Sequence, residues 1–501
     1  VPSCVRHLPR LVCGVRPAVC GVRPAVCGVR PAVCGIRAIL RAAVIPLCAA
    51  CFLLTEFRMV HVFNYKDRYY IFDTGSSSLH ECDEKGALLM REKLGEKVDT
   101  SFISEAERQE YEADFAELEK EGLLFKEEMR VYPPKSDEVK ALCLHICHDC
   151  NLRCKYCFAD EGAYHARREF MSLETAKAAI DFLIANSGNR KILETDFFGG
   201  EPLMNFDVVK QTVYYAKEQA AKRGKKFLFT LTTNGLLLKD DVAAFLNEEM
   251  ENVVLSIDGR KEVHDAVRKT ANGKGSFDLV IDNLKNFVQI RGNKSYYVRG
   301  TFTAKNLDFS KDVLFLADCG FDSISMEPVV TEIEDLAIRK EDLSKVCAEY
   351  DVLCDKYLER EARGKGFNFF HFNVDLEGGP CISKKVSACG AGNEYFSVVP
   401  NGDIYPCHQF AGDKDFLMGN VFEGKLDKKI RDKFKNSCLF TRKKCDGCFA
   451  KFICSGGCSA NNYHFNGDID EPYEITCEMM KKRVEDAMHI LAERKRRKGN
   501  E

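Results

Sequence analysis

Residues 147–162 read CHDCNLRCKYCFADEG and follow the apolar segment ALCLHI at 141–146. In this stretch Cys150, Cys154 and Cys157 have the spacing C-x3-C-x2-C. Three thiolates on a short loop can hold three irons of a [4Fe–4S] cluster and leave the fourth iron open to an external ligand. A zinc site would need a fourth protein ligand. The spacing therefore predicts a catalytic iron–sulfur site at these three cysteines.

A second register of the same spacing exists one step upstream, at Cys143, Cys147 and Cys150. Cys143 and Cys147 belong to the predicted strand, and side chains along a strand cannot wrap around a cluster. The downstream register also has an aromatic residue, Tyr156, directly before its last cysteine. Both arguments favour the downstream register.

Strands and helices alternate from residue 139 to about 330, which predicts an α/β domain with a parallel sheet closed into a partial or complete barrel. Ligands bind such barrels at the carboxyl ends of the strands, where the cysteine loop falls. The predicted strands cover 140–147, 193–198, 226–233, 252–258, 296–303 and 322–328. The predicted helices cover 172–186, 206–222, 239–248, 276–291 and 308–318.

The composition favours metal or redox chemistry. The chain has 501 residues and 25 cysteines, and a chain of this length needs no disulfides to build a core. Its formal net charge of −3 is too balanced for a protein whose main partner is nucleic acid or a membrane surface.

Residues 1–58 form a repetitive leader in which CGVRPAV recurs from Cys13 onward. A glycine and a proline in every repeat exclude a helix. The repeats and the ordinary globular pattern that begins at Met59 suggest that the leader is not native coding sequence. A metal-binding tail and a signal peptide are the alternatives, because residues 42–54 are apolar. Without the leader, no segment reaches transmembrane length, so a cytoplasmic protein is expected.

Residues 59–135 predict a winged-helix-like domain, with a hairpin of VHVF and RYYIF followed by helices near 84–94 and 104–121. This segment holds 11 Lys and Arg against 18 Asp and Glu, whereas a phosphate-binding surface should be basic. An exposed hairpin edge on an acidic domain suits the uptake of a peptide as an added strand. PPKSDE at 133–138 is a plausible linker.

The C-terminal part begins with a charged, bridging helical segment over 334–379 and continues into a Cys- and Gly-rich region, 380–485, with little regular pattern. A basic helical tail over 486–501 is expected to be a solvated face. Seven cysteines of this region exceed the needs of one zinc site and suit two clusters; they are Cys389, Cys407, Cys445, Cys448, Cys454, Cys458 and Cys477.

The cysteine loop after the first strand of a partial barrel over 139–333 resembles the signature of the radical S-adenosylmethionine (SAM) superfamily. The second strand ends in FFGGEP, which matches the family's SAM-amino-group motif. Two glycines let the backbone approach a ligand, and a carboxylate can meet its ammonium group. The resemblance implies the following SAM-contacting residues: Tyr156 and Val329 near the adenine, Gly199, Gly200 and Glu201 at the amino group, and Ser256 and Arg268 at the ribose and carboxylate.

The C-terminal cysteines resemble the SPASM extension of radical SAM enzymes, which holds two auxiliary [4Fe–4S] clusters. The resemblance implies one cluster on four cysteines, namely Cys445, Cys448, Cys454 and Cys477. Cys389, Cys407 and Cys458 then leave the other cluster with three ligands. The fourth is either Cys381 or a substrate thiolate, and the substrate is favoured because Cys381 lies outside the motif.

From Met59 onward the chain resembles the maturases of SCIFF peptides, which are small Cys-rich ribosomal peptides with thioether cross-links. The resemblance implies three [4Fe–4S] clusters, SAM, a precursor peptide bound by the N-terminal domain, and a low-potential donor such as ferredoxin or flavodoxin. Nucleic acid and membrane partners are not expected. A sulfatase-maturating type is the alternative, although relatives of that type carry Asp where this chain has His408. A non-enzymatic zinc-binding adaptor is a remote alternative.

Overall fold

The structure is a computed structural model and describes residues 5–7, 59–128, 130, 132, 136–376 and 382–499. The predictions made for residues 1–4 and 8–58 of the leader, for residues 133–135 of the linker and for Cys381 fall outside the described residues.

The N-terminal unit is an antiparallel sheet with two helices on one face. Its strands are β1 (Val5–His7), β2 (Val60–Tyr65), β3 (Arg68–Asp73) and β4 (Ser78–Cys82), and its helices are α1 (Glu84–Lys93) and α2 (Glu105–Lys120). The sheet has the order β1-β4-β3-β2. The hairpin and both helices were predicted, but β4 was missed because the polar run DTGSSS before it reads as a loop. Ser104 and Glu107 form a capping box that starts α2.

The six predicted barrel strands all form, within two residues of the predicted bounds. The strands of this region are β5 (Ala141–Cys147), β6 (Leu152–Cys154), β7 (Ile192–Gly199), β8 (Lys226–Thr233), β9 (Asn252–Ser256), β10 (Arg268–Thr270), β11 (Tyr296–Phe302) and β12 (Ser323–Pro328). Apart from β6 and β10, which pair with each other, neighbouring strands of this set are parallel. This α/β fold with a large parallel sheet was predicted.

The helices of the barrel follow the strands as the alternation predicts. They are α3 (Leu173–Asn186), α4 (Phe206–Ala221), α5 (Asp240–Glu249), α6 (Lys261–Val267), α7 (Phe277–Arg291), α8 (Ser310–Asp318) and α9 (Leu343–Ala362). On α3, residues Ala176, Ala179, Ile180 and Leu183 are fully buried, at the spacing of one helix face. Helix α9 begins nine residues later than the charged pattern from 334 suggested.

The Cys-rich region is more regular than its composition indicates. It adds β14 (Tyr395–Val398), β15 (Asp403–Tyr405), β16 (Gly419–Asn420) and β17 (Lys425–Leu426) to the sheet, together with α10 (Ile382–Ser387), α11 (Lys428–Asn436), α12 (Lys451–Cys454) and α13 (Ser459–Asn466). The bridging segment before it supplies β13 (Asn368–Phe369), which pairs with β12 at the other end of the sheet. The sheet has 11 strands in the order β13-β12-β11-β9-β8-β7-β5-β14-β15-β16-β17. Because β14 pairs in parallel with β5, the sheet runs without a break from the barrel into this region.

The C-terminal helix α14 spans Glu474–Gly499 and is not the solvated tail that its basic end suggests. Val484, Ala487, Met488 and Ile490 are buried, and Arg494 pairs with Glu361 of α9 at 2.7 Å. Basic side chains thus cover the end of a helix whose apolar face belongs to the core. None of the described helices is long and apolar enough to cross a membrane.

Candidate active site

A cavity of about 430 Å³ opens at the carboxyl ends of the barrel strands. All ten barrel residues predicted to hold a cluster or SAM line it: Cys150, Cys154, Tyr156, Cys157, Gly199, Gly200, Glu201, Ser256, Arg268 and Val329. The C-terminal region supplies the opposite part of its lining, including His408, Cys454, Cys458 and Cys477. The fold therefore brings the two cysteine-rich regions to one cavity.

The cysteine loop is held against a distant segment by a small antiparallel pair. Strand β6 pairs with β10, so that Cys154 lies opposite Arg268. Lys155 N donates to Val267 O at 2.9 Å, and Cys157 N donates to Cys154 O at 3.1 Å. These backbone bonds anchor the loop on both sides of Cys154.

Hydrogen-bond donors point at the thiols of the loop. Leu152 N lies 3.4 Å from the Sγ of Cys150, and Arg268 Nη1 lies 3.9 Å from the Sγ of Cys154. Burial raises the pKa of Cys154 to about 11, against the lowering effect of Arg268. Burial also raises the pKa of Cys150, and the nearby thiols of Cys154 and Cys157 add to that shift.

The donor chemistry fits a polynuclear iron–sulfur cluster. Three mutually close thiols line a cavity wall, and N–H donors toward sulfur are the contacts that tune such clusters. Among the described residues, no three His, Cys, Asp or Glu side chains have the spacing to hold a single metal ion.

The turn after β7 brings the backbone against the loop. A side chain on Gly200 would place its Cβ 1.9 Å from the backbone oxygen of Asp149, and Gly199 has a φ of 121°. Glu201 N donates to Asp149 O at 2.9 Å. Glycine is required at both positions because any Cβ would push the loop away.

Glu201 presents a buried carboxylate at this turn. Its Oε1 accepts from Thr233 Oγ1 at 2.8 Å and from Leu203 N at 3.1 Å, and its Oε2 accepts from Asn234 N at 2.8 Å. Burial raises the pKa of Glu201 to about 7, and these hydrogen bonds oppose that shift. The carboxylate is fixed in position and would gain from a cationic partner.

Arg268 and Tyr156 both hydrogen-bond to Asp258, a residue that was not predicted from the sequence. The hydroxyl of Tyr156 donates to Asp258 Oδ2 at 2.6 Å, and Arg268 Nε donates to the same oxygen at 3.0 Å. Asp258 Oδ1 accepts from Thr301 N at 3.0 Å. A polar residue just past a barrel strand, in LSIDG, was the available signal for Asp258.

Ser256 and Val329 are the remaining predicted SAM contacts of the barrel. Ser256 ends β9 and is half-buried, while Val329 follows β12 and is 7% exposed. Both line the cavity. The upstream cysteines behave as predicted for strand residues: Cys143 and Cys147 lie on β5 and are buried.

The predicted four-cysteine auxiliary site comes together. Cys445, Cys448, Cys454 and Cys477 line one cavity of about 240 Å³, although Cys477 lies on α14. Burial, together with the neighbouring thiols of the group, raises the pKa of Cys445 to about 11 and that of Cys477 to about 12. Since Cys454 and Cys477 also line the large cavity, this site adjoins the barrel site.

Cys389, Cys407 and Cys458 also lie close together. Burial raises the pKa of Cys407, and the thiols of Cys458 and Cys389 add to the rise. Gln409 Nε2 lies 3.7 Å from the Sγ of Cys458. The choice between Cys381 and a substrate thiolate stays open, because Cys381 lies outside the described residues.

His408 lies in the cavity beside the three-cysteine group. Its ring centroid is 5.0 Å from that of Phe198 and 5.5 Å from that of Phe158. Burial lowers the pKa of His408 to about 4. The imidazole is therefore neutral near pH 7.

Three charged residues that line the same cavity were not predicted from the sequence; they are Arg299, Glu327 and Arg483. Glu327 lies 4.0 Å from both Arg299 and Arg483, and Arg483 Nη1 is 2.9 Å from His371 Nδ1. Although burial opposes it, His371, Arg483 and Arg299 lower the pKa of Glu327. These residues and His371 come from β11, β12, α14 and the residues after β13, so no local pattern marks them.

Comparison with known proteins identifies two domains. A model of the radical SAM superfamily matches residues 144–301, and a model of SPASM, an iron–sulfur cluster-binding domain, matches residues 389–449. The chain therefore contains a radical SAM domain followed by a SPASM domain. These domains imply [4Fe–4S] clusters and SAM as cofactors.

Three relatives illustrate the range of similar proteins. An uncharacterized protein of Methanocaldococcus jannaschii is 32% identical over 193 residues, 38% of this chain; the match spans 63% of that relative's length. A cysteine-type anaerobic sulfatase-maturating enzyme of Clostridium novyi is 26% identical and covers 66% of this chain and 91% of its own. The mycofactocin maturase MftC of Mycolicibacterium smegmatis is 27% identical and covers 66% and 81%.

A solved structure shares the fold. Native anSMEcpe with bound AdoMet superimposes with a TM-score of 0.59 at 20% identity, covering 72% of this chain and 99% of its own. The relatives thus include a sulfatase-maturating enzyme and a mycofactocin maturase.

Proposed function

We propose that this protein is a radical SAM enzyme that installs thioether cross-links in a Cys-rich, ribosomally made precursor peptide. The observation that carries the proposal is the shared cavity. It is lined at once by the cysteines of the barrel loop and by Cys458 of the three-cysteine site. A peptide in this cavity would contact both places where its chemistry is needed.

In this proposal Cys150, Cys154 and Cys157 hold the barrel cluster, and the residues around the Gly199–Glu201 turn and Asp258 hold SAM. A reduced [4Fe–4S] cluster with bound SAM supplies a 5′-deoxyadenosyl radical. Glu201 pairs with the SAM ammonium, and Gly199 and Gly200 let the backbone approach it. Arg268, held by Asp258, pairs with the SAM carboxylate.

The three-cysteine site explains how a peptide thiol would be placed. With only Cys389, Cys407 and Cys458 as protein ligands, one coordination position is left for a thiolate of the peptide. Over the whole reaction the peptide carbon would give one hydrogen atom to the 5′-deoxyadenosyl radical and the peptide thiol would lose its proton. The carbon–sulfur bond would then form, and the one remaining electron would be accepted by the cluster that Cys389, Cys407 and Cys458 would hold.

The N-terminal unit is proposed as a winged-helix-like peptide-recognition domain. Strands β2, β3 and β4 are consecutive in this sheet, and Val5–His7 adds to β4 as a fourth, antiparallel strand. This added strand supports β4 as the place for peptide recognition by strand addition. The proposal therefore moves the docking edge from the predicted hairpin to β4.

The experiment is anaerobic reconstitution with iron and sulfide, followed by assay of 5′-deoxyadenosine with reduced ferredoxin or flavodoxin as donor. Synthetic Cys-rich peptides serve as the probe, and mass spectrometry should show the loss of two hydrogens for each cross-link formed. C150A/C154A/C157A should form no 5′-deoxyadenosine. A colourless, zinc-loaded protein that never cleaves SAM would instead favour a zinc-binding adaptor.

The proposal places the reaction in the cytoplasm.

Sulfatase maturation is the second candidate, because the Clostridium novyi relative matches over 66% of this chain. Enzymes of that type oxidise a cysteine or serine of a sulfatase and, by the resemblance noted above, carry Asp where His408 stands. A neutral imidazole replaces a carboxylate here. Oxidation of a sulfatase-type Cys peptide without a thioether product would favour this candidate over the first.

A further inference from the structure

The N-terminal unit contacts the loop that carries three cysteines of the four-cysteine site. The ring of His61, on β2, lies parallel to that of Phe449, with centroids 3.6 Å apart and an interplanar angle of 2°. Thr74 Oγ1 donates to Phe449 O at 3.4 Å. Phe449 directly follows Cys448, so both contacts act on the backbone next to a predicted ligand.

A buried ion pair joins the same two parts of the molecule. Lys451 Nζ lies 2.6 Å from Glu128 Oε2, and the two side chains are 2% and 0% exposed. Lys451 Nζ also donates to Asp446 O at 2.9 Å. Lys451 lies between Cys448 and Cys454. Its ammonium group therefore joins two parts of the loop, through Asp446 O, and joins the loop to Glu128 at the end of the N-terminal unit.

A third contact lies on the outer side of the loop. Arg130 Nη2 donates to Asp446 Oδ1 at 2.8 Å, and its guanidinium lies 5.6 Å from the ring centroid of Phe440. Asp446 directly follows Cys445. The contacts from the N-terminal side therefore fall on residues next to Cys445 and Cys448 and on the helix that ends at Cys454.

The loop has little regular structure of its own. Between Cys445 and Cys454 it contains one helix, the four-residue α12, and a turn in which Cys448 N donates to Cys445 O at 3.1 Å. A short segment of this kind depends on outside contacts to keep one conformation. Phe449 and Ala450 are buried in the main core, and His61, Thr74, Glu128 and Arg130 supply the contacts from the N-terminal side.

We infer that the N-terminal unit is a structural part of the four-cysteine cluster site, with Glu128 and Lys451 as positioning residues that hold the Cys445–Cys454 loop in its ligating conformation. This inference rests on the proposed assignment of that cluster. It gives the proposed peptide-recognition domain a second role. A peptide docked on its sheet would be bound to a unit that also contacts the Cys445–Cys454 loop.

The test uses the full-length chain, reconstituted anaerobically, with iron and sulfide content per chain as the readout. Glu128→Gln leaves the Lys451 ammonium buried without its anion, and we expect the iron and sulfide of one [4Fe–4S] cluster to be lost. Lys451→Met removes the other member of the pair together with its bond to Asp446 O and should lose the same cluster. Lys85→Gln breaks an ion pair with Glu107 in the same unit, away from the loop, and should keep full iron content.

The outcomes separate the inference from the proposed function. Full iron content in folded E128Q or in folded K451M would overturn the inference. A wild-type protein that binds only the barrel cluster would overturn the proposed function instead. If E128Q does not fold, His61→Ala is the second variant. It removes the ring contact with Phe449, and the carboxylate that loses its partner, Glu485, is 23% exposed and open to water. Unchanged iron in that folded variant would contradict the inference.

Discussion

Arg268 donates from Nε to Asp258 Oδ2 at 3.0 Å, in a pair whose side chains are 10% and 0% exposed. The same carboxylate oxygen accepts the hydroxyl of Tyr156. One buried carboxylate thus sets the position of an aromatic residue of the cysteine loop and of a cation opposite Cys154. The SAM site proposed here depends on this pair as much as on its own contact residues.

Asp258→Asn should weaken both the protein and its SAM site. Because the charge of Arg268 would stay buried without its partner, we expect the free energy of unfolding to fall by about 3 kcal/mol. Denaturant unfolding and calorimetric titration with SAM measure the two effects. Glu218→Gln is the matched control, since it breaks the exposed Glu218–Lys222 pair on α4 and should leave both quantities unchanged.

The affinity for SAM should depend on pH through Glu201. Burial raises the pKa of this carboxyl to about 7, so it is neutral below that pH and cannot pair with the SAM ammonium. We therefore expect SAM to bind more tightly as the pH rises through 7. In Glu201→Gln this dependence should disappear, and a wild-type affinity that is flat between pH 6 and 8 would contradict the assignment.

The same carboxyl should affect stability in the absence of SAM. Its pKa in the folded state lies above the value of 4.5 for an unperturbed glutamate, so the folded protein binds the extra proton between the two values. The stability that Glu201 contributes is thus present below pH 4.5 and is lost as the pH rises to 7. Denaturant titration of wild type against E201Q across this range measures the difference, and a gap that widens in favour of wild type with rising pH would have the wrong sign.

Gly200→Ala should remove the barrel cluster while leaving the rest of the fold in place. The new Cβ would lie 1.9 Å from the backbone oxygen of Asp149, which must move together with the adjacent Cys150. Overpacking of this kind costs about 1–3 kcal/mol. Iron content and 5′-deoxyadenosine formation should both fall. Gly366→Ala, where the nearest atom lies 3.7 Å away, should change neither.

The open position of the three-cysteine site is tested with a pair of variants. If a peptide thiolate is the fourth ligand, Cys381→Ala should retain all the iron of the wild-type protein. Cys389→Ala removes one of the three close thiols and should lose the iron of one cluster. Loss of a cluster in C381A, measured by iron and sulfide analysis, would make Cys381 the fourth ligand.

Local patterns carried much of the prediction. The alternation of apolar and amphipathic segments predicted the six barrel strands, because each strand and helix is formed by residues close in sequence. The cysteine loop was equally readable, since its three thiols lie within eight residues. The second site was predicted only by resemblance, and its Cys477 joins Cys445 from a different helix.

The tertiary structure alone decided the contacts that span the chain. Asp258 could not be paired with Tyr156 from sequence, because the two are 102 residues apart and meet only after the barrel closes. The contact between β14 and β5 was hidden for the same reason, as a four-residue strand carries too little pattern to reveal a partner. The ion pair of Glu128 with Lys451 forms only where the N-terminal unit packs against the Cys445–Cys454 loop.

The sequence by itself thus determined the predicted chemistry of the site, because the spacing of the cysteines and the order of the strands along the chain can be read directly from it. Only the tertiary structure decided that the two cysteine-rich regions share one cavity and that the N-terminal unit rests on the Cys445–Cys454 loop. Those arrangements arise from packing between segments hundreds of residues apart, and packing of that kind leaves no periodic trace in a single sequence.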